Sequence, residues 1–232
     1  MVQGYGCCAG RERSTTGICV KVTVIAASTI CGRIGPGLIG SSLDRALLER
    51  MRARTDASLM GAETLRASDP EMRGPGGALP EKRVRAIITQ SGDIPVSGKK
   101  IFSQGPPPLI FTSAAAANGL RSRLQGLGRI AVLPEGPCGL SLSAALDFLA
   151  RQGVCSVLVE GGGRLNHSCF QEGVVDEVLL TITPKLSGDS GGPFFCGGQG
   201  GVGDPYLPLA LVSCEVAQTG ELFAHYRVSK KE

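Results

Sequence analysis

The chain has no tryptophan, only three tyrosines and seven phenylalanines. So few rings leave no platform on which a nucleic-acid strand could stack its bases. The charge is also nearly balanced, 24 basic against 20 acidic residues, and no nucleic-acid partner is expected. None of the nine cysteines forms a C-x-x-C pair, which excludes the usual zinc and dithiol redox motifs, and no metal site is read. No apolar run approaches the roughly 18 residues of a membrane span. The opening MVQGYGCCAGRERSTTG lacks the apolar core of a secretory signal. A cytoplasmic protein with reduced thiols is the expectation. Cys155, inside an apolar run, is expected to act as a small hydrophobe.

What is present suffices for a packed core. Hydrophobic residues make up 42% of the chain and charged residues 19%, outside the range of disordered chains. Residues 1–17 are polar and Gly-rich and read as a loose arm before one domain spanning 18–232. Strands are expected at 18–27, 56–60, 83–89, 109–113, 129–133, 154–159 and 177–183. Helices are expected at 42–54, 114–125 and 164–172, with another from Ser141 or Ser143 to a stop at Gly153. Helix 42–54 carries Leu43, Leu47 and Met51 as an apolar stripe. Ser41 caps it, with Asp44 completing a weak capping box. Its last turn bears Arg50, Arg52 and Arg54, which read as a solvated end or as a fork for phosphate. The apolar stretch 154–159 reads as a central parallel strand. Segments 209–218 and 221–228 pair around Thr219-Gly220. The alternation predicts an α/β, single-domain, three-layer αβα fold with a mostly parallel central sheet and a C-terminal antiparallel hairpin.

The strongest chemical signal is Val159-Glu160-Gly161-Gly162-Gly163-Arg164-Leu165. A buried strand ends in a carboxylate, three glycines follow, and a helix begins. Glycine lets a ligand approach the backbone, and the first NH groups of a helix lack internal partners. Together they suit a phosphate or pyrophosphate, although a tight turn without a ligand has the same pattern. Glu160 falls where carboxylates face the ligand crevice of an α/β sheet, unless it merely caps the helix.

A second segment, Gly188-Asp189-Ser190-Gly191-Gly192-Pro193, resembles the nucleophile segment of chymotrypsin-like serine proteases. That chemistry needs a histidine base oriented by an aspartate. The only histidines, His167 and His225, lie in no matching context, and that fold is all-β. A Gly-rich turn is the better reading.

The segments Asp56-Ala57-Ser58-Leu59-Met60-Gly61 through Thr64 to Asp69-Pro70, Val157-Leu158-Val159-Glu160-Gly161-Gly162-Gly163, Asp176-Glu177, and Thr183-Pro184-Lys185-Leu186 with Gly188 together resemble the reductase domain of bacterial riboflavin biosynthesis. They occur in family order across roughly 20–228. The H-x-E and P-C-x-x-C motifs of the deaminase domain that precedes it in bifunctional members are absent, so a stand-alone reductase is expected.

The resemblance implies a dihydrofolate-reductase-like fold, an NADPH cofactor, a homodimer, and reduction of a phosphoribosylaminopyrimidine's ribosyl group to ribityl. It places NADPH against Thr64, Asp69, Gly161, Gly162, Gly163, Arg164, Leu165 and on to Ser168, with Thr112 or Ser113 on the adenosine side. Arg121 and Arg123 are further candidates for a 2′-phosphate. Substrate falls to Arg52, Met72, Arg73 and Glu160, with Glu160 fixing the sugar carbon for reaction. The chain departs from the family pattern at Cys31, Ser68 and Pro75, and at Leu38-Ile39-Gly40, where an aromatic is lost. Alternative readings are a reductase of the same fold acting on another carbonyl or imine, and a nucleotide-binding regulator without catalysis.

Overall fold

Strand and helix alternate as the residue pattern requires. In a computed structural model, which describes residues 20–35 and 40–229, the strands are β1 (Lys21–Thr29), β2 (Ala57–Gly61), β3 (Val84–Thr89), β4 (Leu109–Thr112), β5 (Arg129–Val132), β6 (Glu135–Gly136), β7 (Gly139–Leu140), β8 (Ser156–Val159), β9 (Glu177–Thr183), β10 (Leu209–Val216) and β11 (Leu222–Val228). The helices are α1 (Ser42–Arg54), α2 (Ala62–Ala67), α3 (Lys100–Ser103), α4 (Ala114–Leu124), α5 (Leu142–Arg151) and α6 (Gly163–Gln171).

Nine strands form one sheet in the order β10-β11-β9-β1-β8-β2-β3-β4-β5. β8 lies between β1 and β2 and is parallel to both, as its unbroken apolar sequence requires. β11 is antiparallel to β9, and β10 closes the edge as a hairpin with β11. The chain builds outward from β2 to β5, then returns to insert β8 at the centre. That return leaves a crevice at the strands' carboxyl ends, where ligands of open α/β sheets sit.

Side chains alternate across the sheet and feed two cores. Leu59, Ala86, Leu109, Phe111 and Val157 pack toward α5 and α6, where Phe111 meets Phe148 edge to face at 5.6 Å. Met60, Ile87 and Ile110 pack the other way, among residues of α2, α3 and α4. The expected three layers are thereby formed. Ser113 and Ser141 cap α4 and α5 by accepting from Ala116 N and Ala144 N.

Several expectations need correction. The first strand starts at Lys21 and continues to Thr29; residues 18–19, like the arm at 1–17 and Leu38-Ile39, lie outside the described residues. The stripe assigned to α1 is not its buried face, because Leu43 is exposed and Arg52 is the helix's buried residue. The capping box is completed from elsewhere: Asp44 does not reach back, and Ser41 N instead donates to Glu221 Oε1 at 2.7 Å. Cys155 is exposed at the sheet's amino edge, before β8 starts. The short helix α3 and the hairpin β6–β7 have too few residues to show a period, and the sequence reading passed over both.

Candidate active site

The crevice is a cavity of about 1030 Å³. The ends of β1, β2, β3 and β8 form its floor, through Ala26, Ala27, Met60, Gly61, Ile88 and Glu160. One face of α1 supplies a wall, Asp44, Leu48 and Arg52 recurring every four residues. α6 and the hairpin residues Cys138 and Gly139 supply another.

Glu160 and Arg52 form the charged centre. Arg52 Nε donates to Glu160 Oε1 at 3.0 Å and Oε2 at 3.1 Å, and Nη2 donates to Oε2 at 2.6 Å. Ser58 Oγ also donates to Oε1, and Arg83 Nη1 donates to Ser58 Oγ. Arg83 is fixed by Thr55 O and Ala57 O, both at 2.9 Å. Burial alone would raise the Glu160 pKa; the charge and hydrogen bonds of Arg52, helped by Ser58 and Arg83, outweigh it and hold the group below the usual carboxylate range. Burial pulls Arg83 down to about 10, against the charge of Glu160. Glu160 therefore does not face the cavity as an unpaired acceptor, and it does not cap α6, whose N-cap is Gly162 with no side-chain bond.

The triple glycine forms a cradle. Gly162 has φ +99°, a conformation that side chains disfavour, and a Cβ there would stand 3.3 Å from Thr64 Oγ1. A Cβ on Gly163 would run into the Phe194 carbonyl. The α6 N-terminus, without a side-chain cap, thus lies at the cavity beside the Phe194 carbonyl and Thr64 Oγ1, the latter 3.4 Å from Gly161 O. That arrangement fits the pyrophosphate of a nicotinamide dinucleotide.

The segment between β9 and β10 covers the cradle. Arg33 donates to the Gly192 and Ser190 carbonyls and lies 3.5 Å from the Phe194 ring centroid. Gly197 N donates to Gly163 O at 3.2 Å, and Asn166 Nδ2 to Phe195 O at 2.8 Å. The protease-like hexapeptide is thus part of this cover. Of its two candidate histidines, His167 Nε2 bonds Gly200 O at 3.0 Å, and His225 lies on β11 with Nε2 3.4 Å from Glu177 Oε2.

The cavity gathers Arg52, Glu160, Thr64, Gly161, Gly162, Gly163, Arg164, Leu165 and Ser168 from the residues expected to bind ligands. Others stand outside its lining. Met72 is 1% exposed at φ +55° and packs with Leu65 and Ile101. The Arg73 guanidinium is consumed by Glu71, Gly77 O and Gln104, and only its carbonyl reaches the site, accepting from Arg52 Nη1 at 2.9 Å. Asp69 caps α3 by accepting from Lys100 N. Thr112 is fully buried, and Ser113 bonds Gln90 O and Ala116 N. Arg121 bonds Asn118, and Arg123 bonds Gly92 O. Sequence reasoning missed Asp44, Ser58 and Arg83. Ser58 alone left a signal, a hydroxyl inside an otherwise apolar strand.

Strand order, crevice and glycine cradle together define an α/β unit of the dihydrofolate-reductase-like class. The chain belongs to the RibD C-terminal domain family, whose profile matches residues 21–223. It is 29% identical over 165 residues to the 2,5-diamino-6-ribosylamino-4(3H)-pyrimidinone 5′-phosphate reductase of Archaeoglobus fulgidus, covering 67% of this chain and 74% of that one. It is 30% identical over 171 residues to the riboflavin biosynthesis protein RibD of Chlamydia pneumoniae, covering 72% of this chain but 45% of the relative. Among solved structures, a pyrimidine reductase-like protein of Corynebacterium diphtheriae superposes with a TM-score of 0.74 at 22% identity, covering 91% of this chain and 93% of that one. The RibD of Acinetobacter baumannii superposes at 0.75 and 20% identity, over 91% of this chain and 59% of its own.

Proposed function

We propose that the chain is an NADPH-dependent reductase of riboflavin biosynthesis. It converts the ribosyl group of 5-amino-6-(5-phosphoribosylamino)uracil, or of its amino-pyrimidine precursor, to ribityl. The observation that carries this reading is the glycine cradle opening beside a buried Arg52–Glu160 pair in one cavity, within a family whose named relatives include pyrimidinone phosphate reductases.

In this reading the NH groups at the start of α6 and the Thr64 hydroxyl hold the cofactor's pyrophosphate. The dinucleotide, when bound, supplies a hydride. Arg52, held by Glu160 and Arg73 O, fixes the shape and charge of the wall against which the substrate sits, and the segment around Phe194 excludes water. Holding the sugar carbon near its reacting partner lowers the barrier by prepaid entropy. The cofactor is NADPH rather than NADH on the strength of the resemblance alone.

The active unit covers 18–232 and works in the cytoplasm as a homodimer. Supporting the dimer, every residue of edge strand β10 is exposed, Leu209, Leu211, Val212 and Val216 among them. Such an edge is ready to pair with another strand.

The test is incubation of the purified chain with NADPH and each of the two pyrimidines, following cofactor oxidation. Turnover with either supports the proposal, and the faster one identifies the substrate. Oxidation with neither overturns it.

A further inference from the structure

The geometry assigns Asp44 the role of proton donor in the reduction, as a carboxylate of the cavity separate from the paired Glu160. This assignment rests on the reductase reading above.

Asp44 lies on the cavity face of α1, one and two helical steps from Leu48 and Arg52. The chain makes room for it, because a Cβ on Gly40 would run into its carboxylate. The Thr181 hydroxyl on β9, 1% exposed and without a hydrogen-bond partner among the described residues, draws the Asp44 pKa down. Glu221, before β11, adds a negative charge nearby; it accepts from Ser41 N and from Thr219 Oγ1 at 3.0 Å, with Lys185 drawing on it. Arg45 opposes this from α1 but is itself paired to Glu49 at 2.9 Å. Burial first, then Glu221, raises the Asp44 pKa, with Thr181 and Arg45 pulling the other way.

The other acids lining the cavity are differently placed. Glu160 is held ionised by Arg52. Glu63 is exposed at the rim, 3.9 Å from Arg164. Cys138 is exposed. Of these carboxylates, Asp44 is the one whose pKa the surroundings raise.

The reaction requires such a group. The sugar carbon bonded to nitrogen gains the hydride, and the nicotinamide is oxidised by two electrons. The bond from that carbon to the ring oxygen breaks, its electron pair passes to the oxygen, and the oxygen takes one proton. Asp44 gives that proton, is left as a carboxylate, and regains a proton from water.

The test pairs titration with kinetics on Asp44→Asn and Thr181→Val. Carbon-13 NMR of aspartate-labelled, ligand-free protein should show one carboxyl, missing in Asp44→Asn, titrating above the ordinary 3.8. Single-turnover reduction by wild type should fall as pH rises through that midpoint. Asp44→Asn should be at least about 100-fold slower and flat with pH, at unchanged NADPH affinity. Thr181→Val, which keeps the carboxyl, should move the midpoint upward and keeps the test valid where Asp44→Asn does not fold. Wild-type rates in a folded Asp44→Asn, an Asp44 titrating at or below 3.8, or an unmoved midpoint in Thr181→Val would overturn the assignment alone. A wild-type protein that reduces neither pyrimidine overturns the reductase reading, and this assignment with it.

Discussion

Arg52 and Glu160 are 108 positions apart in the chain and meet as a forked ion pair whose side chains are 6% and 8% exposed. Arg can engage both carboxylate oxygens at once, which fixes the orientation of each group. The pair ties the last turn of α1 to the end of β8, two elements that border the cavity.

Breaking this pair is expected to cost stability. Truncating one partner of a buried pair leaves the other charge uncompensated, at about 3–5 kcal/mol. Glu160→Ala should therefore melt well below wild type, and Glu160→Gln, which keeps the shape, by less. Thermal unfolding followed by circular dichroism checks both. Both variants should also lose turnover efficiency because Arg52 is no longer held.

The pair also sets an acid limb. The folded Glu160 pKa lies below its ordinary 4.5, so its contribution is fully present above about 4.5 and is lost as pH falls through the lowered value. Denaturant unfolding of wild type and Glu160→Gln across acid pH should give curves that converge at the low end. Parallel curves would show that the charge contributes nothing.

Gly162→Val tests the cradle. A β-branched side chain at φ +99°, with its Cβ 3.3 Å from Thr64 Oγ1, must distort the loop or block the ligand. The NADPH dissociation constant should rise at least about tenfold, or 1.4 kcal/mol. Calorimetric titration of the folded variant is the measurement.

Among the described cysteines, alkylation should favour Cys31 and spare Cys169. Thr29 and the backbone NH groups of Ser187 and Gly188 lower the Cys31 pKa to about 7 on an exposed side chain. Burial pushes Cys169 up. Thiolate, not thiol, is the nucleophile. Mass-spectrometric mapping after brief labelling at neutral pH should find Cys31 modified and Cys169 intact.

Much of the frame was legible because it rests on local patterns. The apolar run of β8, the glycines after it and the closing hairpin each carry their signal within about ten residues. The face of α1 was not legible. Its leucines suggested the core, but the cavity takes the neighbouring face with Asp44 and Arg52, and only the tertiary pairing of Arg52 with Glu160 reveals why a charge turns inward. Met72 and Arg73 fall outside the cavity lining for a related reason. Motif alignment gives a position along the chain, whereas the left-handed turn at Met72 sends one side chain into the core and the other to Glu71. The cover at 187–201 has no period at all. Its role depends on a cation–π contact with Arg33, more than 150 residues away.

The most direct test of the account is isotope transfer. NADPH deuterated at the reactive nicotinamide carbon is incubated with the chain and the phosphoribosylaminopyrimidine, and the product is analysed by mass spectrometry and NMR. The account predicts a ribityl product carrying one deuterium on the carbon bonded to nitrogen. Unchanged ribosyl substrate, or a reduced product without deuterium at that carbon, would contradict it.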